Sequence, residues 1–438
     1  MRRALSIVAG LLAVASPARA DLLPSRPISL WNDRLVVSGE ATVTVGLEDD
    51  GYFNAIDYAH DTFNLLTLSV SAELRAHDRL SLLAQVIDEV GLRDRDFGPR
   101  DRHVLRPYAF YVRVQPLANR PLFVQAGRIP PVFGAFARDQ YGTGNPLIGV
   151  PLAYAYPTAI RSDQAPLSVS ELAANRGEGW YVRYPRSSFN GAQGVPLLSA
   201  RRWDTGVEMR LGDGPVDVAV ALTNGTLSRP LTVDDNGGRQ LSARVGVRPF
   251  AALSLGASIA RGEFVSDAAR AALSPSRQST AFRQRAFGVD GEASRGRVVV
   301  RGEVVATRWA TPFVSGEPDL SAGAWAAWLE GQVKLSPRWA LAARTERLEF
   351  STLRRIAAAG GGPSGGGDPS GDPYGPTDGG GAAGATESWD APVSRVELAA
   401  SYRLRRNVRV KAAWQYDWRD GGRVRREGHA ALQLGYWF

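Results

Sequence analysis

The sequence predicts an all-β protein, a transmembrane antiparallel β-barrel of about sixteen strands, and three observations carry that prediction. Segments of about ten residues alternate apolar with polar or small positions from Leu35 to the last residue, Phe438. The connections between them alternate short with long. No later apolar run exceeds the short one at the N-terminus, and a spanning helix needs roughly 20 apolar residues. Period-two alternation gives one face to oil and one to water. In hydrocarbon such strands must pair on both edges, so the sheet has to close.

The chain opens on Met1-Arg2-Arg3, an apolar run from Ala4 to Ser16, and Ala18-Arg19-Ala20. A charged start, a short apolar stretch and a small-x-small site predict a secretory signal peptide over 1–20, leaving 21–438 as the barrel. With no Cys there is neither a lipoprotein attachment site nor a disulfide scaffold.

Strands are then predicted in order. The first two are 35–48 and 62–77, where Leu66, Leu68, Val70, Ala72 and Leu74 alternate with Thr67, Ser69, Ser71, Glu73 and Arg75. A turn at Asp78 leads to 79–89. Strands 106–116 and 121–129 flank the turn from Pro116 to Pro121, and 201–211 and 215–224 flank Gly212-Asp213-Gly214. Next come 240–249 and 252–262 around Pro249-Phe250-Ala251, and 284–293 and 296–308 around Ser294-Arg295. Ser336-Pro337 joins 323–335 to 338–350, and Arg405-Arg406 joins 391–404 to 407–418. In the latter, Val408, Val410, Ala412, Trp414, Tyr416 and Trp418 alternate with Arg409, Lys411, Ala413, Gln415, Asp417 and Arg419. The last strand, 427–438, ends on Tyr436-Trp437-Phe438. Even strand number, seven tight turns and eight longer loops fit a barrel with both termini on the short-turn side. Trp414, Tyr416 and Trp418 crowd one rim while Tyr436 and Phe438 mark the other, as amphipathic rings do at membrane interfaces.

Two loops differ from the rest. Residues 351–390 hold Gly/Pro/Asp tracts such as Gly360-Gly361-Gly362-Pro363 and Gly379-Gly380-Gly381, too poor in apolar surface to order themselves, and predict a flexible external loop. Asp368, Asp372 and Asp378 within it match no calcium-loop spacing. Residues 130–200 are apolar and stiff. They predict a constriction loop in which Gly134, Gly142, Gly144 and Gly149 allow the turns while Phe133, Phe136, Tyr141 and Leu147 pack against the inner wall.

Removing Arg2, Arg3 and Arg19 leaves 49 basic against 44 acidic residues, a diffuse excess that argues against a nucleic-acid partner. The four His, at 60, 77, 103 and 429, are scattered among loops and strand ends. No Gly-x-Ser-x-Gly elbow or His-Glu-x-x-His helix accompanies them, so the sequence predicts no enzyme, cofactor or metal. The informative chemistry is the lining. Alternation projects Arg75, Arg113, Arg244, Arg301, Glu303, Arg344, Arg395, Arg409 and Lys411 inward, among nearly balanced charges of both signs. Arg128 leads into the 130–200 loop. Charged residues in a channel wall act directly on permeating ions, and arginines beside the narrow section predict a weak preference for anions.

Signal peptide, sixteen alternating segments, long third external loop and terminal Tyr436-Trp437-Phe438 together resemble bacterial outer-membrane porins over the whole mature chain. Length and strand count are similar to those of the phosphate-selective porins. The resemblance implies the outer membrane of a Gram-negative-type bacterium, contact with its lipid, a third loop folded into the lumen and association into a homotrimer. It also assigns Phe438 to recognition by the barrel-assembly machinery. Only Lys334 and Lys411 are lysines, so the lysine cluster of the phosphate-selective family is missing and phosphate selectivity is not implied. The sequence therefore predicts a passive diffusion channel for small hydrophilic solutes or ions. Its rival is a non-conducting surface barrel whose external loops bind a ligand or partner.

Overall fold

The computed structural model describes residues 24–46, 65–91, 103–118, 120–136, 143–184, 191–200, 203–212, 214–354, 386–421 and 426–438. The predicted signal peptide, His60, Tyr141, Gly142 and most of the Gly/Pro-rich loop lie outside the described residues. Sixteen strands form the barrel. They are β1 (Leu35–Gly46), β2 (Leu65–His77), β3 (Leu80–Gly91), β4 (His103–Val114), β5 (Leu122–Ile129), β6 (Asp204–Leu211), β7 (Val216–Thr223) and β8 (Gln240–Phe250). The second half comprises β9 (Leu253–Glu263), β10 (Arg283–Arg295), β11 (Val298–Thr311), β12 (Leu320–Lys334), β13 (Trp339–Phe350), β14 (Val393–Arg405), β15 (Val408–Arg419) and β16 (Arg426–Trp437). Each pairs antiparallel with the next, and β16 returns to β1 through Ala431↔Gly46 to Trp437↔Glu40, which closes the cylinder.

Every predicted strand has its counterpart, with ends shifted by a few residues. The start predicted at 323 moves to Leu320 because β11 and β12 run on as a hairpin to the pair Thr311↔Leu320. The start predicted at 201 moves to Asp204, whose carboxylate accepts backbone N–H groups of Gly225 and Leu231 and so fastens β6 to the next loop. Alternation governs the two faces. Val70, Phe110, Met209, Leu222, Ile259, Phe287, Leu329 and Trp414 stand exposed on the outward register, a belt of apolar surface that only lipid would cover.

The seam is sealed from both chain ends. Phe438 donates its N–H to the Gly39 carbonyl at 2.9 Å and accepts the Gly39 N–H at 3.1 Å. Its ring lies over Gly39, where any Cβ would collide with it. Below that point a short strand, Ile28–Leu30, takes the place β16 vacates and pairs with β1 through Ile28↔Val37 and Leu30↔Leu35. Asn407 and Tyr436 both donate to the Pro24 carbonyl, tying this segment to the last hairpin.

The buried core lies inside the barrel rather than between layers. The described parts of 130–200, with the short helices α1 (Leu152–Ala155) and α2 (Val169–Ala174), lie against inward side chains of the wall. Phe133, Phe136, Tyr154 and Tyr156 pack there with Trp309, Trp389 and Phe350 over the small inward residues Ala260, Ala286, Ala322, Ala324 and Ala326. Alanines on the wall leave the volume that the segment's aromatics occupy. A second clamp comes from the loop before β14. Buried Asp390 accepts N–H groups from Ala159 at 2.7 Å, Gly177 at 2.8 Å and Ala391 at 2.7 Å. Burial outweighs these donors and pushes its carboxyl up to about 6.

Candidate functional site

The inner wall divides into a covered part and a bare part. The covered part begins where the 130–200 segment leaves β5 and crosses the lumen. Gly134 donates to Ser258 of β9 at 3.1 Å and Ala135 to Glu303 of β11 at 3.3 Å. The Phe136 ring meets Trp328 of β12 edge-on at 5.9 Å. Phe133 lies against Gly288, where a Cβ would come within 2.9 Å of its ring.

The segment then lies along the closing strands. Thr143 donates to the Glu40 carboxylate from both its N–H (3.0 Å) and its hydroxyl (2.8 Å). Lys411 donates to the carbonyls of Asn145 (2.6 Å) and Leu147 (3.1 Å), and Leu147 packs on Ala342, Ala399, Ala413 and Ala431. Ile148 and Gly149 give both N–H groups to Glu397, at 3.1 and 2.7 Å. Leu152 donates to Glu346.

Arg344 is the hub of this covered wall. Only 1% exposed, it reaches Glu330 at 3.3 Å, Glu346 at 2.8 Å, Glu397 at 2.8 Å and the Gly149 carbonyl at 2.9 Å. Beside it Arg395 forks onto Asp417 at 2.7 and 3.2 Å and reaches the Val150 carbonyl at 3.3 Å. Arg301 pairs with Glu330 at 2.6 Å. Glu303 accepts from Ala135, from the Tyr154 hydroxyl and from Trp328 Nε1 at 3.2 Å. Desolvated charges persist only when paired and hydrogen-bonded, and here the loop backbone completes the pairing.

These contacts revise the sequence reading. Arg301, Glu303, Arg344, Arg395 and Lys411 face inward, but Glu303, Arg344, Arg395 and Lys411 are buried against the segment and Arg301 is part-buried on Glu330. Arg244 is likewise occupied, with Asp290 on its guanidinium at 2.7 Å. Arg409 bonds the Thr143 carbonyl at 3.1 Å and lies over the Trp437 ring at 5.6 Å. Arg128 requires a correction. It shares its register with outward Phe110 and Thr205, and it donates to Thr232 of an external loop. Its place at the loop entrance points to the lumen, but the alternation of its own strand sets it outward, with Ala126.

Among the described residues the bare part, the one with fewer loop contacts, runs along β1 to β6, where Glu40 still holds Thr143 and Val132 packs with Ala109 and Tyr111. Its inward row holds Ser38, Ser71, Gln85 and Ala109, which are register partners across four strands. Arg75 has half of its side chain exposed and touches Glu73 at 3.5 Å. Arg210 pairs with Glu208 at 2.9 Å. Arg113 differs: it donates to the Tyr111 hydroxyl at 3.3 Å, and no carboxylate lies within ion-pair distance of it among the described residues. A recess of about 220 Å³ opens here between Ser38, Ser71, Glu73, Gln85, Tyr111 and Trp203. Tyr111 was legible, since it shares the parity of Arg113 two positions on. Trp203 precedes its strand and packs tilted against Tyr108, ring centroids 5.0 Å apart, a contact with no signal in the sequence.

No protein-family model and no curated protein matches the sequence. Solved structures do resemble the fold. OmpF of Salmonella typhi in complex with daunomycin is 12% identical, with a TM-score of 0.52 over 94% of this chain and 100% of that one. OmpT, an outer membrane protein of Vibrio cholerae, is 12% identical, with a TM-score of 0.51 over 94% and 99%. The outer membrane channel DcaP of Acinetobacter baumannii is 11% identical, with a TM-score of 0.50 over 94% and 100%. The architecture is that of porin-type outer-membrane barrels.

Proposed function

We propose that this protein is an outer-membrane porin, a passive diffusion channel for small hydrophilic solutes or ions with a weak preference for anions. One observation carries the reading. The 130–200 segment neutralises and seals one wall, while β1 to β6 keep hydroxyl, amide and charged side chains facing the remaining space. Sixteen-stranded barrels are wide enough for an aqueous path beside such a segment. The anion preference rests on Arg113, the bare-wall arginine whose described partner is a neutral phenol. Confinement strengthens its field, because low-dielectric walls screen less than bulk water.

Reconstitution into a planar bilayer tests this directly. The intact protein conducts, and excising residues 133–155 raises the single-channel conductance. Arg113→Gln shifts the reversal potential in a salt gradient toward cations; an unmoved potential removes Arg113 from the selectivity. The rival reading, a closed barrel whose external cap binds a ligand or partner, is favoured by the extent of the core under that cap. A complete lack of current from intact protein decides for it.

On the porin reading Phe438 marks the chain for the assembly machinery. Its deletion lowers the yield of folded barrel by more than the loss of one interfacial ring, about 1–3 kcal/mol, would give. Association into trimers belongs to the same reading, and cross-linking in native membranes tests it.

A further inference from the structure

The outer face of the barrel carries one row that hydrocarbon would not cover. Arg261, Arg285 and Arg308 stand side by side on β9, β10 and β11, in the register pairs Arg261↔Arg285 and Arg285↔Arg308. All three are exposed, and they share the outward parity of Ile259, Phe287 and Ala306. They lie at the long-loop end of their strands, which is the external end of a barrel with short periplasmic turns. Opposed side chains on adjacent strands start roughly 5 Å apart, so like charges placed there repel.

The carboxylates that follow on the same face are already taken. Glu263, two positions beyond Arg261, has Arg270 at 3.3 Å and Arg283 at 4.0 Å. Glu349 is paired with Arg347. Among the described residues no ion pair involves Arg261, Arg285 or Arg308. The flanks of the row carry no charge either. Leu241 is the register partner of Arg261 on one side, and Gly323 that of Arg308 on the other. Toward the midplane the next outward side chains include Ile259, Phe287 and Val304, all exposed and apolar. A strip of positive charge thus sits directly on a strip of oil.

We propose that this row is a binding site for a lipid of the outer leaflet whose headgroup carries phosphate. The planar fork of arginine meets phosphate oxygens two at a time and keeps its charge at a membrane surface. Three adjacent forks cancel their mutual repulsion on such a headgroup, while its chains lie on Ile259, Phe287 and Val304. Free phosphate makes only the first half of that contact. A zwitterionic headgroup brings a cation of its own against the row. The site needs the outer-membrane location and is independent of conduction.

Native mass spectrometry of the purified barrel in neutral detergent counts bound lipid during titration with diphosphoryl lipid A. Phosphatidylcholine is the control for chains without net charge, and inorganic pyrophosphate for phosphate without chains. The wild type is expected to bind lipid A saturably, and neither control at the same concentration. Arg285→Gln, in the middle of the row, should weaken lipid A about tenfold, the loss of roughly one charge-assisted contact. The triple variant with Arg261→Gln and Arg308→Gln should lose it altogether. Arg295→Gln, exposed at the opposite end of the same strand, should leave it unchanged. Thermal unfolding adds a readout whose sign reverses. Without lipid, Arg285→Gln relieves repulsion and raises the midpoint; with saturating lipid A it lowers the midpoint below that of the wild type. Heat-modifiable mobility reports that each variant is folded. Wild-type affinity in the triple variant, an equal loss from Arg295→Gln, or a midpoint lowered in both conditions overturns the site. Phosphatidylcholine bound as tightly as lipid A overturns the role of charge, and pyrophosphate bound as tightly overturns the lipid as occupant.

Discussion

The walls formed by β9 to β15 and by β1 to β6 follow the same alternation, yet their inward charges do different work. On the first, Arg344, Glu346, Glu397 and Arg395 are dry and bonded to the backbone of 148–152, with Asp417 holding Arg395. On the second, Arg75 is half exposed and Arg113 meets only a phenol in the described structure. An inward charge is thus not the same thing as a charge facing the lumen. What separates the two is whether a loop with unpaired N–H and C=O groups lies on top. The covered side uses its charges to order a segment that would otherwise leave backbone groups unsatisfied.

This contrast can be broken most severely at Arg344. Arg344→Met leaves Glu346 and Glu397 buried without their cation, while Glu330 keeps Arg301, and loss of one partner from such a group costs about 3–5 kcal/mol. Thermal unfolding in detergent should show a large drop in midpoint. An unchanged midpoint would mean that the covered charges are already hydrated.

Gly149→Val attacks the same wall from the loop side. Its Cβ would collide with the Glu397 carboxylate and come within 3.1 Å of Gln415, an overpacking cost of about 1–3 kcal/mol. The expected outcome is a displaced segment with higher single-channel conductance.

Asp390 tests how the cap is fastened. Its folded pKa of about 6 lies above the ordinary 3.8. The folded state therefore binds more protons between those values, and this contribution is complete below about pH 4 and lost as pH rises through about 6. Asp390→Asn removes that pH dependence. It also turns an amide toward the Ala159 N–H, costing about 1–2 kcal/mol. Protease resistance of the cap from pH 4 to pH 7 reads both effects.

The smallest effect belongs to the bare wall. Arg75→Gln removes a half-exposed pair and should change stability by no more than about 0.5 kcal/mol. A large destabilisation would show that the bare wall is structural too.

The sixteen strands, their order and the inward face were legible because pleat parity is a local property. A strand in lipid must alternate, and Thr67, Ser69, Ser71 and Glu73 between Leu66, Leu68, Val70 and Ala72 say which side is wet. The apolar and glycine-rich character of 130–160 likewise announced a segment able to turn and pack inside. Proximity to the loop misled at Arg128, which alternation sets outward and whose side chain finds Thr232, 104 positions away. Nor does the sequence show that Asp390 reaches back to Ala159 and Gly177, or that Trp203 closes a recess with Tyr111. Each depends on residues from distant connections meeting at one rim. The sequence by itself determined the barrel, because alternation and turn chemistry act over neighbouring residues. Only the tertiary structure decided which inward charges are dry and which stay wet, because desolvation depends on what covers a group, and the cover comes from elsewhere in the chain.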